Sequence, residues 1–177
     1  MRWASGCRSS RTKGRDLREQ ISAGADAVML FDTWGGVLTA ESWRRFSLTP
    51  MRSVLAELAP GSTDARVPAI VFTKGAGGWL DDLADCGAAC VGLDWTIDLA
   101  AARRQIGARV ALQGNLDPLV LLTDPETVVR AAEAVVHAAG PAPGHIFNLG
   151  HGLVPATPPE HVATLVEAVH RASARVR

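Results

Sequence analysis

Tyrosine is absent from this 177-residue chain, so no phenol can serve a site within it. An excess of either charge is absent too. The 18 Lys and Arg balance the 18 Asp and Glu, giving a formal net charge of +0 and a pI of about 7.0. No global field therefore draws the chain toward nucleic acid or a membrane surface, and any anionic ligand must be held by local groups. Cysteine is scarce. Cys7, Cys86 and Cys90 form no C-x-x-C pair, and their odd number excludes a disulfide framework and fits a reducing compartment. No apolar run approaches the roughly 20 residues needed to cross a bilayer, and the start lacks the short apolar core of a signal peptide. The expected location is the cytoplasm.

What is present suits one α/β domain, since 47% of the residues are hydrophobic, enough to bury a core at this length. Five short apolar runs alternate with longer helix-like segments: AVMLFD (27–32), PAIVFT (68–73), CVGLDW (90–95), VALQGN (110–115) and HIFNLG (145–150). That alternation predicts a parallel sheet. Helices are expected near 16–23, 41–58, 78–85, 98–106, 125–139 and 158–174. In the last, Val162, Leu165, Val166 and Val169 form one apolar stripe. TPPE predicts a capping box from Thr157 to Glu160, and TDPE repeats the signal from Thr123. Residues 1–15 are basic, rich in Arg and Ser, and without helical or strand period, which predicts a poorly ordered tail before a domain over 16–177.

Each apolar run ends in a polar or glycine cluster: Asp32-Thr33, Thr73-Lys74-Gly75, Asp94-Trp95-Thr96, Gln113-Gly114-Asn115 and Gly150-His151-Gly152. In parallel α/β proteins the carboxyl ends of the strands share one rim, so these clusters are expected to converge into a site. His151, between two glycines just past a strand, is placed to meet a ligand or to cap its strand. Thr33 can donate a hydrogen bond to a ligand carboxylate, and the same FDTWGG residues also suit a turn. Lys74 brings a positive charge to the rim or points into solvent. Its TKGAGG loop has neither phosphate-loop order nor dinucleotide spacing. Asp117, ahead of Pro118, reads as a helix cap. Convergent metal ligands and a G-x-S-x-G elbow are both missing from the pattern, which argues against a metal site and against covalent hydrolase chemistry.

The segments AGADAVMLFDTWGG, VFTKGAGGWL, VGLDWT, ALQGNLDP and FNLGHG with the following PPEHV, in this order and spacing, resemble the C-terminal part of the uroporphyrinogen decarboxylase family from about Asp16 onward. The resemblance implies an incomplete (β/α)8 TIM barrel, the five strands being the last five of eight. It further implies cofactor-free, metal-free removal of the four acetate carboxyl groups of uroporphyrinogen, giving coproporphyrinogen. Thr33 then matches a substrate-contacting Ser or Thr, His151 the histidine of a G-H-G motif, and Phe31 an apolar wall beside the tetrapyrrole; Lys74, from its place at the rim and not from the resemblance, is expected with Phe31 in the second tier of the pocket.

The family's arginine-rich substrate loop, the aspartate that holds the pyrrole N–H groups and its active-site tyrosine belong to the N-terminal part. No catalytic residue is therefore assigned in this chain, and the polypeptide alone is expected to turn over little substrate. Two rivals stand beside this reading: a non-catalytic half-barrel, and a cobalamin-dependent methyltransferase of the same barrel, for which the strand ends offer no zinc-binding cysteine. Unpaired strand edges at 27–32 and 145–150 predict dimerisation, aggregation or instability of the chain expressed alone.

Overall fold

The computed structural model describes residues 10–58 and 67–176. Five strands, β1 (Val28–Asp32), β2 (Ala69–Thr73), β3 (Cys90–Gly92), β4 (Ala111–Leu116) and β5 (His145–Leu149), form one all-parallel sheet whose spatial order equals the chain order. Helix α1 (Ser10–Ser22) precedes them, and between and after them run α2 (Ala40–Trp43), α3 (Thr49–Leu58), α4 (Leu80–Ala84), α5 (Leu99–Ile106), α6 (Pro125–Ala139) and α7 (Pro159–Val176). A parallel strand pair needs a crossover, and each crossover here returns the chain one strand further in the same direction. That winding is the arc of a barrel, open at β1 and β5. The two expected edges are thus the observed ones.

The side-chain alternation of the strands separates two faces. Val71, Val91 and Leu112 are completely buried against Leu83, Leu99 and Ile106 of α4 and α5. A second cluster, Leu116, Leu121, Val128, Ala132, Leu165 and Ala168, holds α6 and α7 to β4 and the loop after it. Residues pointing the other way, such as Met29, Phe72 and Gln113, face a cleft. The helices therefore cover one face of the sheet and leave the other open to the cleft.

Several boundaries differ from expectation for local reasons. Helix α1 starts at Ser10, so residues 10–15 of the expected tail belong to its first turns; residues 1–9, with Cys7, lie outside the described set. The single helix expected over 41–58 is interrupted by a π-helical turn at Arg44–Leu48. The widened turn buries Trp43 and Leu48 and brings the Ser47 hydroxyl to the carboxylate of Asp32, at the end of β1. Strand β3 stops at Gly92 rather than at Trp95 because Asp94 bends the chain around its own carboxylate.

The caps shift as well. The N-cap of α6 is Asp124, not Thr123: its carboxylate accepts from Thr127 N at 2.9 Å, directly before Pro125 at the first helical position. At α7 the expected capping box does not form. Helix α7 begins at Pro159, so the residue before it is Pro158, which has no side-chain acceptor, and Thr157 Oγ1 is buried without a partner. Asp117 does cap as expected, accepting from Leu119 N at 2.9 Å.

Candidate functional site

The carboxyl ends of the five strands carry the clusters singled out in the sequence, and a cleft of about 500 Å³ opens among them. Its apolar wall includes Met29, Phe31, Phe72 and Leu93, and its polar groups are Thr33, Gln113, Asn148 and His151. Thr33 and His151 come from opposite edges of the sheet, β1 and β5, and line the same space. Phe31 is 63% exposed, a large apolar area directed at the cleft, with its ring centroid 6.0 Å from that of Phe72. Exposed aromatic surface of this kind next to polar groups suits a ligand with an apolar body and hydrogen-bonding groups.

Lys74 is placed differently from expectation: it does not line the cleft. Its ammonium stands over the indole of Trp95, 5.1 Å from the ring centroid, and Trp95 in turn meets His151 edge to face at 6.0 Å. The flexible lysine stem lets the charge take the nearest aromatic face instead of the cavity.

The rim is tied together by one fully buried carboxylate. Asp94 accepts hydrogen bonds from Gly75 N in the loop after β2 and from the backbone N–H and the hydroxyl of Thr96. Asn115 adds β4 to the same knot, its Nδ2 donating to Asp94 O at 2.9 Å and Ile97 O at 2.6 Å. A buried charge is tolerated when hydrogen bonds replace its water, which is the case here. The sequence marked these residues as rim clusters. It gave no sign that Asp94 would bind them to one another, because the contacts depend on the parallel register of β2, β3 and β4.

Asn148 was not singled out, and Gln113 and Trp95 were marked only as members of rim clusters, with no role of their own. Gln113 Oε1 is buried without a hydrogen-bond partner beside the cleft. His145 sits at the opposite, amino-terminal end of β5, with Nε2 donating to Gly114 O at 2.7 Å. Burial lowers its pKa, outweighing the opposing effect of that hydrogen bond. The Cys90 thiol is pushed up to about 11 by burial and Cys86 is raised for the same reason, so neither is a ready nucleophile or metal ligand. Among the described residues no group of three or more His, Cys, Asp or Glu is arranged to hold a metal ion, and no helix is long and apolar enough to cross a membrane.

A sequentially wound parallel sheet with a cleft at its carboxyl rim defines a protein of the (β/α) barrel class, represented here by five units of the barrel. The profile of the family "Uroporphyrinogen decarboxylase (URO-D)" matches residues 10–172, and the chain belongs to that family. It is 56% identical over 161 residues to uroporphyrinogen decarboxylase of Burkholderia thailandensis, a match covering 91% of this chain and 44% of that protein. The enzyme of the same name from Aromatoleum aromaticum is 52% identical over 161 residues, covering 91% and 45%. The chain thus spans under half the length of these curated relatives. A solved methyltransferase from Methanosarcina mazei superposes with a TM-score of 0.77 over 92% of this chain and 47% of its own, at 21% identity, which speaks for the fold alone.

Proposed function

We propose that this chain is the substrate-binding half of a uroporphyrinogen decarboxylase, a carboxy-lyase that removes the acetate carboxyl groups of a tetrapyrrole octa-acid without metal or cofactor. The observation that carries the reading is the convergence of Thr33, His151 and Phe31, from opposite sheet edges, on one cleft. In this reading the Thr33 hydroxyl and the His151 imidazole hydrogen-bond to substrate carboxylates, most strongly when the imidazole is protonated, and the Phe31 ring lies along the macrocycle.

The chemistry explains why a pocket of this kind suffices. Cleaving the acetate C–CO₂⁻ bond leaves an electron pair on the side-chain carbon. A pyrrole ring protonated at carbon accepts that pair, so the ring itself is the electron sink. A proton then adds to the side-chain carbon to give a methyl group, and the ring gives up the proton it had gained. The protein must orient the acid, hold the pyrrole N–H groups and set the proton positions.

The longer relatives contain a further part, and we infer that it supplies the arginines and the carboxylate for those tasks. Without them several kcal/mol of transition-state binding is lost, on the order of a thousandfold or more in rate. The same reading has the protein in the cytoplasm, as the free thiols of Cys86 and Cys90 suit, and as a homodimer joined through surfaces that the open edges leave available.

The test has two arms. Uroporphyrin, the air-stable oxidised octacarboxylate, is titrated into the chain and followed by fluorescence. Thr33→Ala and His151→Ala should each weaken binding about tenfold, the loss expected for one hydrogen bond to a charged group. Porphyrinogen carboxyl loss is then followed by chromatography, with little turnover expected from this chain and restored turnover when it is joined to the remaining part of the Burkholderia thailandensis enzyme. Robust turnover by the 177-residue chain alone would overturn the assignment of chemistry to the further part of the longer relatives, and unchanged binding in both variants would overturn the roles of Thr33 and His151.

A further inference from the structure

The motif VGLDWT carries an indole, Trp95, that lies beside the cleft without lining it, and its neighbours give it a definite task. His137, His145 and His161 each have a ring nitrogen on a backbone carbonyl. The imidazole of His151 has no such partner among the described residues. Its flanking glycines give it no side-chain support either. What it touches are two aromatic rings, Trp95 at 6.0 Å and 87°, and Phe72 at 6.3 Å and 70°, both edge to face.

We propose that Trp95 is the positioning residue for His151: with Phe72 its indole forms an aromatic slot that fixes the imidazole at the mouth of the cleft. Edge-to-face geometry at these separations is the favoured arrangement of aromatic rings and supplies orientation that a histidine between glycines otherwise lacks. The slot is built from three directions. Phe72 is buried at the end of β2. The backbone of Trp95 is set by the Asp94 carboxylate, which binds the following residue and the loop after β2. The Lys74 ammonium over the indole holds the ring in place from the same loop. Gly150 completes it, because a side chain there would collide with the backbone of Asp94 and Trp95 and push β5 and its histidine away.

The inference deepens the reading of His151 as a carboxylate contact and rests on it for its functional consequence, though not for the geometry. The experiment therefore separates the two. In the full 177-residue chain, nuclear Overhauser contacts between the ring protons of His151 and Phe72 report the slot, and uroporphyrin titration reports its use. Trp95→Leu keeps apolar bulk but removes the ring. The His151 to Phe72 contact should be lost, the His151 ring signals should move toward those of free histidine, and uroporphyrin affinity should fall about tenfold, as for loss of the histidine's own hydrogen bond. Trp95→Phe should rescue both readouts. Lys74→Met should move the His151 signals in the same direction by a smaller amount, and it decides the matter if Trp95→Leu does not fold.

A His151 to Phe72 contact that persists unaltered in Trp95→Leu, or His151 signals that stay in place in Lys74→Met when Trp95→Leu is unfolded, overturns the proposal whatever the affinity. Loss of the contact with affinity unchanged both there and in His151→Ala upholds the positioning role and refutes the carboxylate role.

Discussion

The backbone of Gly150 rests directly on the backbone of Trp95: a β-carbon built on Gly150 stands 2.9 Å from Trp95 Cα and from the carbonyl carbon of Asp94. Two strands that are not neighbours in the sheet, β3 and β5, thereby meet at the rim above β4. The glycines on either side of His151 are consequently unequal, since a β-carbon on Gly152 meets nothing within 4 Å.

That inequality gives a paired experiment. Gly150→Ala should destabilise the chain by about 1–3 kcal/mol, the cost of forcing extra atoms into a packed contact. Gly152→Ala should stay within about 0.5 kcal/mol of the parent, as surface changes do. Urea denaturation of the two variants side by side measures both, and equal stability would show that the close approach is not maintained in solution.

Asp94→Asn preserves shape while removing charge and turning an amide NH₂ toward N–H donors. One or more of the Gly75 and Thr96 donors is then left without its acceptor. A loss of about 1.5–3 kcal/mol is expected, the range for hydrogen bonds to a charged group. A shift in the urea midpoint at unchanged slope is the measurement.

Acid should weaken the fold through His145. Its pKa is depressed in the folded chain, mainly by burial, so folding favours the neutral ring. The unfolded chain then binds more protons, and the stability from this residue, complete above the ordinary histidine pKa of about 6.5, is lost as pH falls from there through the folded-state value. Replacing His145 with Gln should flatten the stability profile between about pH 7 and pH 5, as read from denaturant midpoints at several pH values. Parallel profiles for parent and variant would remove His145 from the account.

Thiol labelling distinguishes folded from unfolded chain. Cys90, with its pKa pushed up to about 11, and Cys86, also raised, are both buried. At pH 8 a maleimide should modify neither until denaturant is added, as peptide mass mapping would show; rapid labelling of Cys90 in buffer would mean that β3 opens readily.

Much of this arrangement was readable in advance where local pattern decides it. The five apolar runs became five strands within a residue or two, except at β3, and the clusters at their ends did converge, so that Thr33, Phe31 and His151 share a cleft. What was not legible depends on contacts between distant segments. The break at Arg44–Leu48 is coupled to Asp32, a partner 15 residues from Ser47, and helical periodicity does not register it. Lys74 was expected in the pocket because it follows a strand, yet the nearest aromatic face belongs to Trp95, 21 residues along, and the charge rests there. The Thr157 capping box failed because two consecutive prolines set the helix start by their fixed φ and left no capping side chain next to it.

The identity of spatial and chain order in the sheet also bears on how the molecule is made. Each strand pairs with the one synthesised just before it, so a nascent chain emerging from the ribosome can add βα units one after another without holding a gap for a later arrival. The cleft is then assembled as a chronological sequence. Thr33 and Phe31 are laid down first, the Asp94 knot closes in the middle of translation, and His151 enters only when β5 has docked. Any pause or truncation before β5 yields a sheet with its hydrophobic wall in place and without the imidazole of His151.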